Sequence, residues 1–196
     1  MKNLRIYLVI TFILAIIVPS NQAMASDELS FVVHPDSMQQ WYFHYGKKVT
    51  WYIMNIWPSN FLLTKIGPPE MKLGEGVFLT LAAGPDLNVK GKDLFQSFTI
   101  DAVPVVSKGS FLFVGVTEAG INKDGKGIYF FRYHATYKGI GARWSGSGIF
   151  NEKNEHFQVG PMVSFKPSEK TCFECWFATD IHSGEHMIEF VAKIKL

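Results

Sequence analysis

The sequence predicts an all-β protein, an antiparallel β-sandwich forming a single domain over residues 26–196, and three observations carry that expectation. Short β-branched and aromatic runs recur along the chain, each closed by Gly, Pro, Asn or Asp, which is how antiparallel strands and their turns read. Helical periodicity is weak throughout, so little competes with strand. Apolar residues make up 47% of the chain and aromatic residues 15%, enough for one core, with no internal repeat, low-complexity tract or block of charge.

The elements follow in order. Lys2 and Arg5 lead a nearly unbroken apolar run from Ile6 to Val18, and small residues at Ala23 and Ala25 follow. That order reads as a cleavable signal peptide over residues 1–25, which implies a secreted, periplasmic or extracellular protein. The run falls short of the ~20 residues a membrane helix needs. Later hydrophobic stretches are all interrupted by Lys, Asp, Glu, Gly or Pro, so no membrane span is expected in the mature chain. Strands are expected at Leu29–Val33, Lys48–Ile56, Asn60–Ile66, Gly76–Ala82, Phe95–Ile100, Ser110–Thr117, Gly127–Tyr137, Ser147–Phe150, Phe157–Phe165, Phe173–Ala178 and Met187–Lys195. Pro35–Tyr45 can be read instead as one or two helical turns. Gly139, Gly141, Gly146 and Gly148 lack the strand–loop–helix setting that cradles phosphate and read as bulges or tight β corners. Asn122-Lys123-Asp124-Gly125 reads as a hairpin turn, because Lys126 takes the next ligand position of a calcium loop and no bidentate Glu follows.

Charge and motif exclude several classes. The formal charge is +2, and Lys2 and Arg5 both lie in the leader, so the remainder has no electrostatic footprint for nucleic acid. No Gly-x-Ser-x-Gly elbow and no paired carboxylates stand out, which makes an enzyme a minority reading. Aromatics such as Trp41, Trp51, Trp57 and Trp144 are expected in the core. His44 and His134 are expected as hydrogen-bonded wall residues.

Chemistry-bearing residues concentrate near the C-terminus, from Cys172 to Met187, where both cysteines and two of six histidines lie. A Cys172–Cys175 disulfide is one reading, favoured by an oxidising compartment. Zinc is a second, on the Cys-x2-Cys-x6-His-x3-His spacing. A two-residue turn at Ser183-Gly184 would place Phe177, Ile181, Ile188 and Phe190 on one apolar, core-facing side, with Glu189 exposed and His182 and His186 on opposite faces. That register disfavours joint chelation by the two histidines and puts His182 and Met187 on one side.

The third reading is a family resemblance. His182-Ser183-Gly184-Glu185-His186-Met187, preceded by Cys175 and followed by the closing strand, resembles the copper-ligand loop of cupredoxins, where Cys, His and Met follow in that order. Gly46-Lys47-Lys48-Val49-Thr50-Trp51, Asn55 and Pro58-Ser59-Asn60 resemble the strand and turn that deliver that family's first histidine, whose place Ser59 takes here. The resemblance implies a cupredoxin-like topology, with an immunoglobulin-like one as the other sandwich. It also implies copper held by Cys175, His182 and Met187 with Cys172 nearby, electron transfer, and a redox or membrane-complex protein partner. The alternative is a non-catalytic extracellular binding or structural module in which Cys172 and Cys175 form the disulfide.

Overall fold

The computed structural model describes residues 26–33, 37–46, 48–57, 61–91, 93–150, 152 and 156–196. Residues 1–25, where a signal peptide was expected, His34 and Ser59 lie outside the described residues. The described residues form thirteen strands and no helix. The first four are β1 (Ser26–Val33), β2 (Met38–Tyr45), β3 (Thr50–Trp57) and β4 (Phe61–Gly67). The short β5 (Met71–Gly74) precedes β6 (Val77–Asn88), β7 (Phe95–Lys108), β8 (Phe111–Asn122) and β9 (Gly127–Tyr137). The chain ends with β10 (Ile140–Ile149), β11 (His156–Ser168), β12 (Thr171–Asp180) and β13 (His186–Lys195). In the segment Pro35–Tyr45, read as one or two possible helical turns, Met38–Tyr45 is the strand β2, and residues 35 and 36 lie outside the described residues.

The fold class differs from the expected sandwich. Consecutive strands pair antiparallel except β4 with β5, and two further pairings, β1 with β13 and β4 with β6, close the sheet. The result is a closed twelve-strand antiparallel barrel. Pro68-Pro69 interrupts the line of β4, and β5 continues along β6 beyond it. The period-2 alternation that suggested a sandwich is equally what a barrel requires, and only pairing between distant strands distinguishes them.

The larger reversal concerns which face is inside. Registers fix the two sets: on β7, Ser97, Thr99 and Asp101 point into the lumen and Phe98, Ile100 and Ala102 point out. The same split holds on β13, where Glu189 is 0% exposed while Phe190 is 55% exposed. Lys65, Arg143 and Asp101 are buried too, whereas Ile100, Val163, Phe165 and Phe177 are exposed. Phe177, Ile188 and Phe190 do share a face as the alternation required, but it is the outer surface of the barrel and not a core. The hairpin register is also shifted by two residues, with Phe177 opposite Ile188 and Ala178 opposite Met187, leaving a five-residue loop at 181–185. A two-residue slip preserves facing, because side chains alternate with period 2. Among the four tryptophans expected in a core, Trp41 faces the lumen and Trp51, Trp57 and Trp144 face out.

Two of the β10 glycines sit in regular ladder, not in bulges. A Cβ on Gly146 would come within 2.6 Å of the Phe131 ring, and one on Gly148 within 2.8 Å of the Tyr129 hydroxyl, so cross-strand aromatics lie flat over both. Gly139, with φ of +81°, does form a tight corner after Lys138.

The inverted facing sets a test. Glu189→Ala should cost about 3–5 kcal/mol, since it strips a buried ion pair of its carboxylate. Phe190→Ala, one position along, should cost clearly less. Denaturant unfolding followed by tryptophan fluorescence decides it, and a costlier Phe190→Ala would mean the faces are assigned the wrong way round.

Candidate functional site in the barrel lumen

Two charged clusters fill the lumen. The first forms where β4 closes on β6. Lys65 projects inward from β4, and the lumenal position beside it on β6 is Gly84, which has no side chain. The ammonium therefore reaches past β6 to β7 and β8, donating to Thr99, to Asp101 at 2.6 Å and to Glu118. Tyr52 on β3 donates to the other oxygen of Asp101, and Ser97 donates to Asp86. Burying an ammonium is tolerable only with such a full set of acceptors.

The second cluster lies on the facing wall. Glu189 forms an ion pair with Arg143 at 2.5 Å and accepts from Arg132 at 3.3 Å, so two guanidiniums share one carboxylate. Arg143 stacks on the buried Trp176 ring, 4.6 Å from its centroid. Trp176, Met162 and Ala178 with Met187 form an apolar plug beneath it. Lys193 pairs with Glu174 at 2.7 Å. Between the clusters lies a cavity of about 170 Å³, walled on one side by aromatics of β2 and β3 and on the other by valines and the basic groups of β9 and β10.

The residues singled out from sequence are scattered relative to this site. Cys172 faces the lumen, with its Sγ 3.4 Å from Ser164 Oγ, whereas Cys175, three positions along the same strand, faces out. Both are free thiols, and the expected disulfide is not formed, because an odd spacing in a regular strand puts the two on opposite faces. His182 lies in the 181–185 loop, where Asp180 Oδ1 accepts from its backbone N–H at 2.9 Å. Met187 packs on the apolar plug inside the barrel. His186 faces out and hydrogen-bonds Thr179 Oγ1 at 3.0 Å. Cys175, His182 and Met187 thus occupy the outer face, a loop and the lumen, and do not fit one copper ion. Among the described residues, no group of three His, Cys, Asp or Glu side chains is arranged to hold a metal. His44 pairs with Asp27 at 2.7 Å on the outer rim, and His134 lines the cavity.

Sequence reasoning missed Lys65, Asp101, Arg132, Arg143 and Glu189. Their signal was present: each is a charge flanked within a strand by apolar or aromatic residues, apart from Thr64 beside Lys65. In a chain read as having an apolar core, that pattern looks like an outer face. The chain matches no protein-family model and no curated protein, so the site stands on its own geometry.

Lys65→Met should destabilise the barrel by about 3–5 kcal/mol by leaving Asp101 and Glu118 uncompensated, and adding Asp101→Asn with Glu118→Gln should recover most of that loss. Unfolding free energies of the single and triple variants test the coupling, and equal losses in both would refute it. Thiol titration of unfolded, unreduced protein should return two free thiols per chain, and a value near zero would show that the cysteines pair.

Proposed function

We propose that this chain is a membrane-spanning β-barrel of the outer-membrane kind, with a lumen closed by paired charges in place of an open aqueous channel. The observation that carries the reading is the composition of the outer face. Among the described residues of the twelve barrel strands, no Arg or Glu points outward, and Asp27 and Lys108 alone among Asp and Lys do so, both at strand ends beside the short turns. A surface in water gains nothing by excluding charge while burying Lys65, Arg143 and Glu189, whereas a surface in lipid gains several kcal/mol per charge excluded.

Three further features support it. Aromatics flank the apolar face at both ends: Tyr42, Trp51, Phe111, Tyr137 and Phe165 near one rim, Trp57, Tyr129 and Phe157 near the other. Such girdles sit at membrane interfaces. The connections are asymmetric, with two-residue turns at Gly109-Ser110, Lys138-Gly139 and Glu169-Lys170 at one end, and four to six residues of chain separating β6 from β7, β8 from β9, β10 from β11 and β12 from β13 at the other. Strands β6 to β13 run 10 to 14 residues, matching the ~9–11 that a tilted spanning strand needs. Strands β1 to β4 have seven or eight residues and make the apolar band narrower on that side.

The reading accounts for the expectation of no membrane span. No helix of the described residues is long and apolar enough to cross a bilayer. A barrel crosses with strands whose apolar residues alternate with polar ones, and a helix-length hydropathy window averages that alternation away. A signal peptide at residues 1–25 agrees with export to such a membrane.

Phe190→Arg, near the middle of the outer face of β13, should lower stability in liposomes by about 2–4 kcal/mol. Wild type should insert into phosphatidylcholine vesicles and resist extraction by carbonate at high pH. Partition of folded wild type into the aqueous phase with no vesicle association would overturn the proposal. Planar-bilayer recordings should show no steady open-channel current, and large ohmic steps in wild type would refute the closed lumen.

A further inference from the structure

We infer that the lumenal cavity is a binding site for a small aromatic carboxylate, a single-ring organic acid. The inference uses the barrel lumen and does not depend on membrane insertion.

Size sets the first limit. The cavity is about 170 Å³, and an apolar protein cavity of about 150 Å³ accommodates benzene. One ring with one small substituent therefore fills it.

Lining chemistry sets the second. Trp41, Phe43 and Tyr45 follow at alternate positions on the lumenal face of β2, with successive ring centroids 5.5 and 6.0 Å apart and planes within 2° and 5° of parallel. Tyr52 tilts against Trp41 and Phe43 from β3. Val103, Val114, Val116 and Val191 complete an apolar surface suited to a flat hydrocarbon body.

The polar atoms decide the substituent. His134 and Arg143, cross-strand neighbours on β9 and β10, are 6% and 2% exposed and both line the cavity. His134 Nε2, Arg143 Nε and Arg132 Nε are buried without a hydrogen-bonding partner among the described residues. Both guanidinium nitrogens can only donate, so the missing partner is an acceptor. Arg132 and Arg143 share the one carboxylate of Glu189, so the two guanidiniums have fewer acceptor oxygens there than donor groups. Of the carboxylates lining the cavity, Glu174 pairs with Lys193 and Asp101 with Lys65, while Glu28 accepts from Ser30 and lies toward the two-residue turns. An acid whose ring lies on the β2 ladder and whose carboxylate meets His134 and the guanidiniums satisfies both halves of the site. Glu28, Tyr45 and Lys193 lie toward the end of the lumen with the two-residue turns, which makes that end its entrance.

The test is calorimetric titration of protein folded in detergent micelles with benzoate, benzyl alcohol and acetate. Circular dichroism confirms the barrel first, so loss of binding is separated from loss of fold, and vesicle insertion is scored independently. Benzoate should bind saturably, and benzyl alcohol and acetate at least about tenfold more weakly, a difference of about 1.4 kcal/mol. Trp41→Leu and His134→Ala should each weaken benzoate by about tenfold, while the outer-face control Phe177→Ala should leave it unchanged. The inference fails if folded wild type shows no saturable heat with benzoate, or if benzyl alcohol binds as tightly. Wild-type selectivity alone is decisive if a lumen variant does not fold.

Discussion

A lysine with no exposed surface must be surrounded by acceptors, and the way Lys65 meets Asp101, Glu118 and Thr99 governs how the barrel closes. These partners come from β7 and β8, yet Lys65 sits on β4, and the strand between, β6, offers only Gly84 at that level. A Cβ on Gly84 would lie 1.9 Å from the Thr64 carbonyl oxygen, so the same glycine permits close approach of β4 to β6 and clears the path of the ammonium. The pairing that converts an open sheet into a barrel and the ion cluster that fills its lumen thus depend on one residue without a side chain.

The opposite wall solves a similar problem differently. Arg143 is held between Glu189 and the Trp176 ring, combining a buried ion pair with stacking. Arg132 shares the carboxylate, and the second guanidinium raises the positive potential next to the cavity. The lumen is therefore uneven across its width, with acidic side chains gathered around Lys65 and basic ones around Glu189. A barrel of this strand number could leave a water channel; here paired charges and the Trp176–Met162 plug occupy that space.

The two rims differ in how they are secured. Two-residue turns at one end use positive φ at Gly109, Lys138 and Gly139 to match the twist of the flanking strands. At the other end, Lys123 pairs with Asp93 at 2.7 Å and Lys126 with Glu152 at 2.6 Å, tying the 123–126 loop to both neighbouring loops. Lys123 holds the Asp93 carboxyl below its usual range through that hydrogen bond, though both partners are exposed and each such pair contributes little. The outer wall between the rims is smoothed by aromatics lying over glycines, Phe131 over Gly146 and Tyr129 over Gly148.

Strand periodicity and turn chemistry are local properties, so the order of residues was enough to show that the chain is β-rich, where most strands lie and which residues share a face. It determined that Phe177, Ile188 and Phe190 stand together against Glu189, and that correlation survived a two-residue slip of the hairpin. Which of the two faces is inside followed from the closure of the barrel alone. Alternation is symmetric under that exchange, so a lone charge in an apolar strand reads as solvent-facing until distant strands supply its partner: Lys65 needs β7 and β8, and Glu189 needs β9 and β10. The copper-ligand motif failed for the same reason. Its order along the chain was local, but the convergence of Cys175, His182 and Met187 required one face, and the barrel gives them an outer surface, a loop and a lumen.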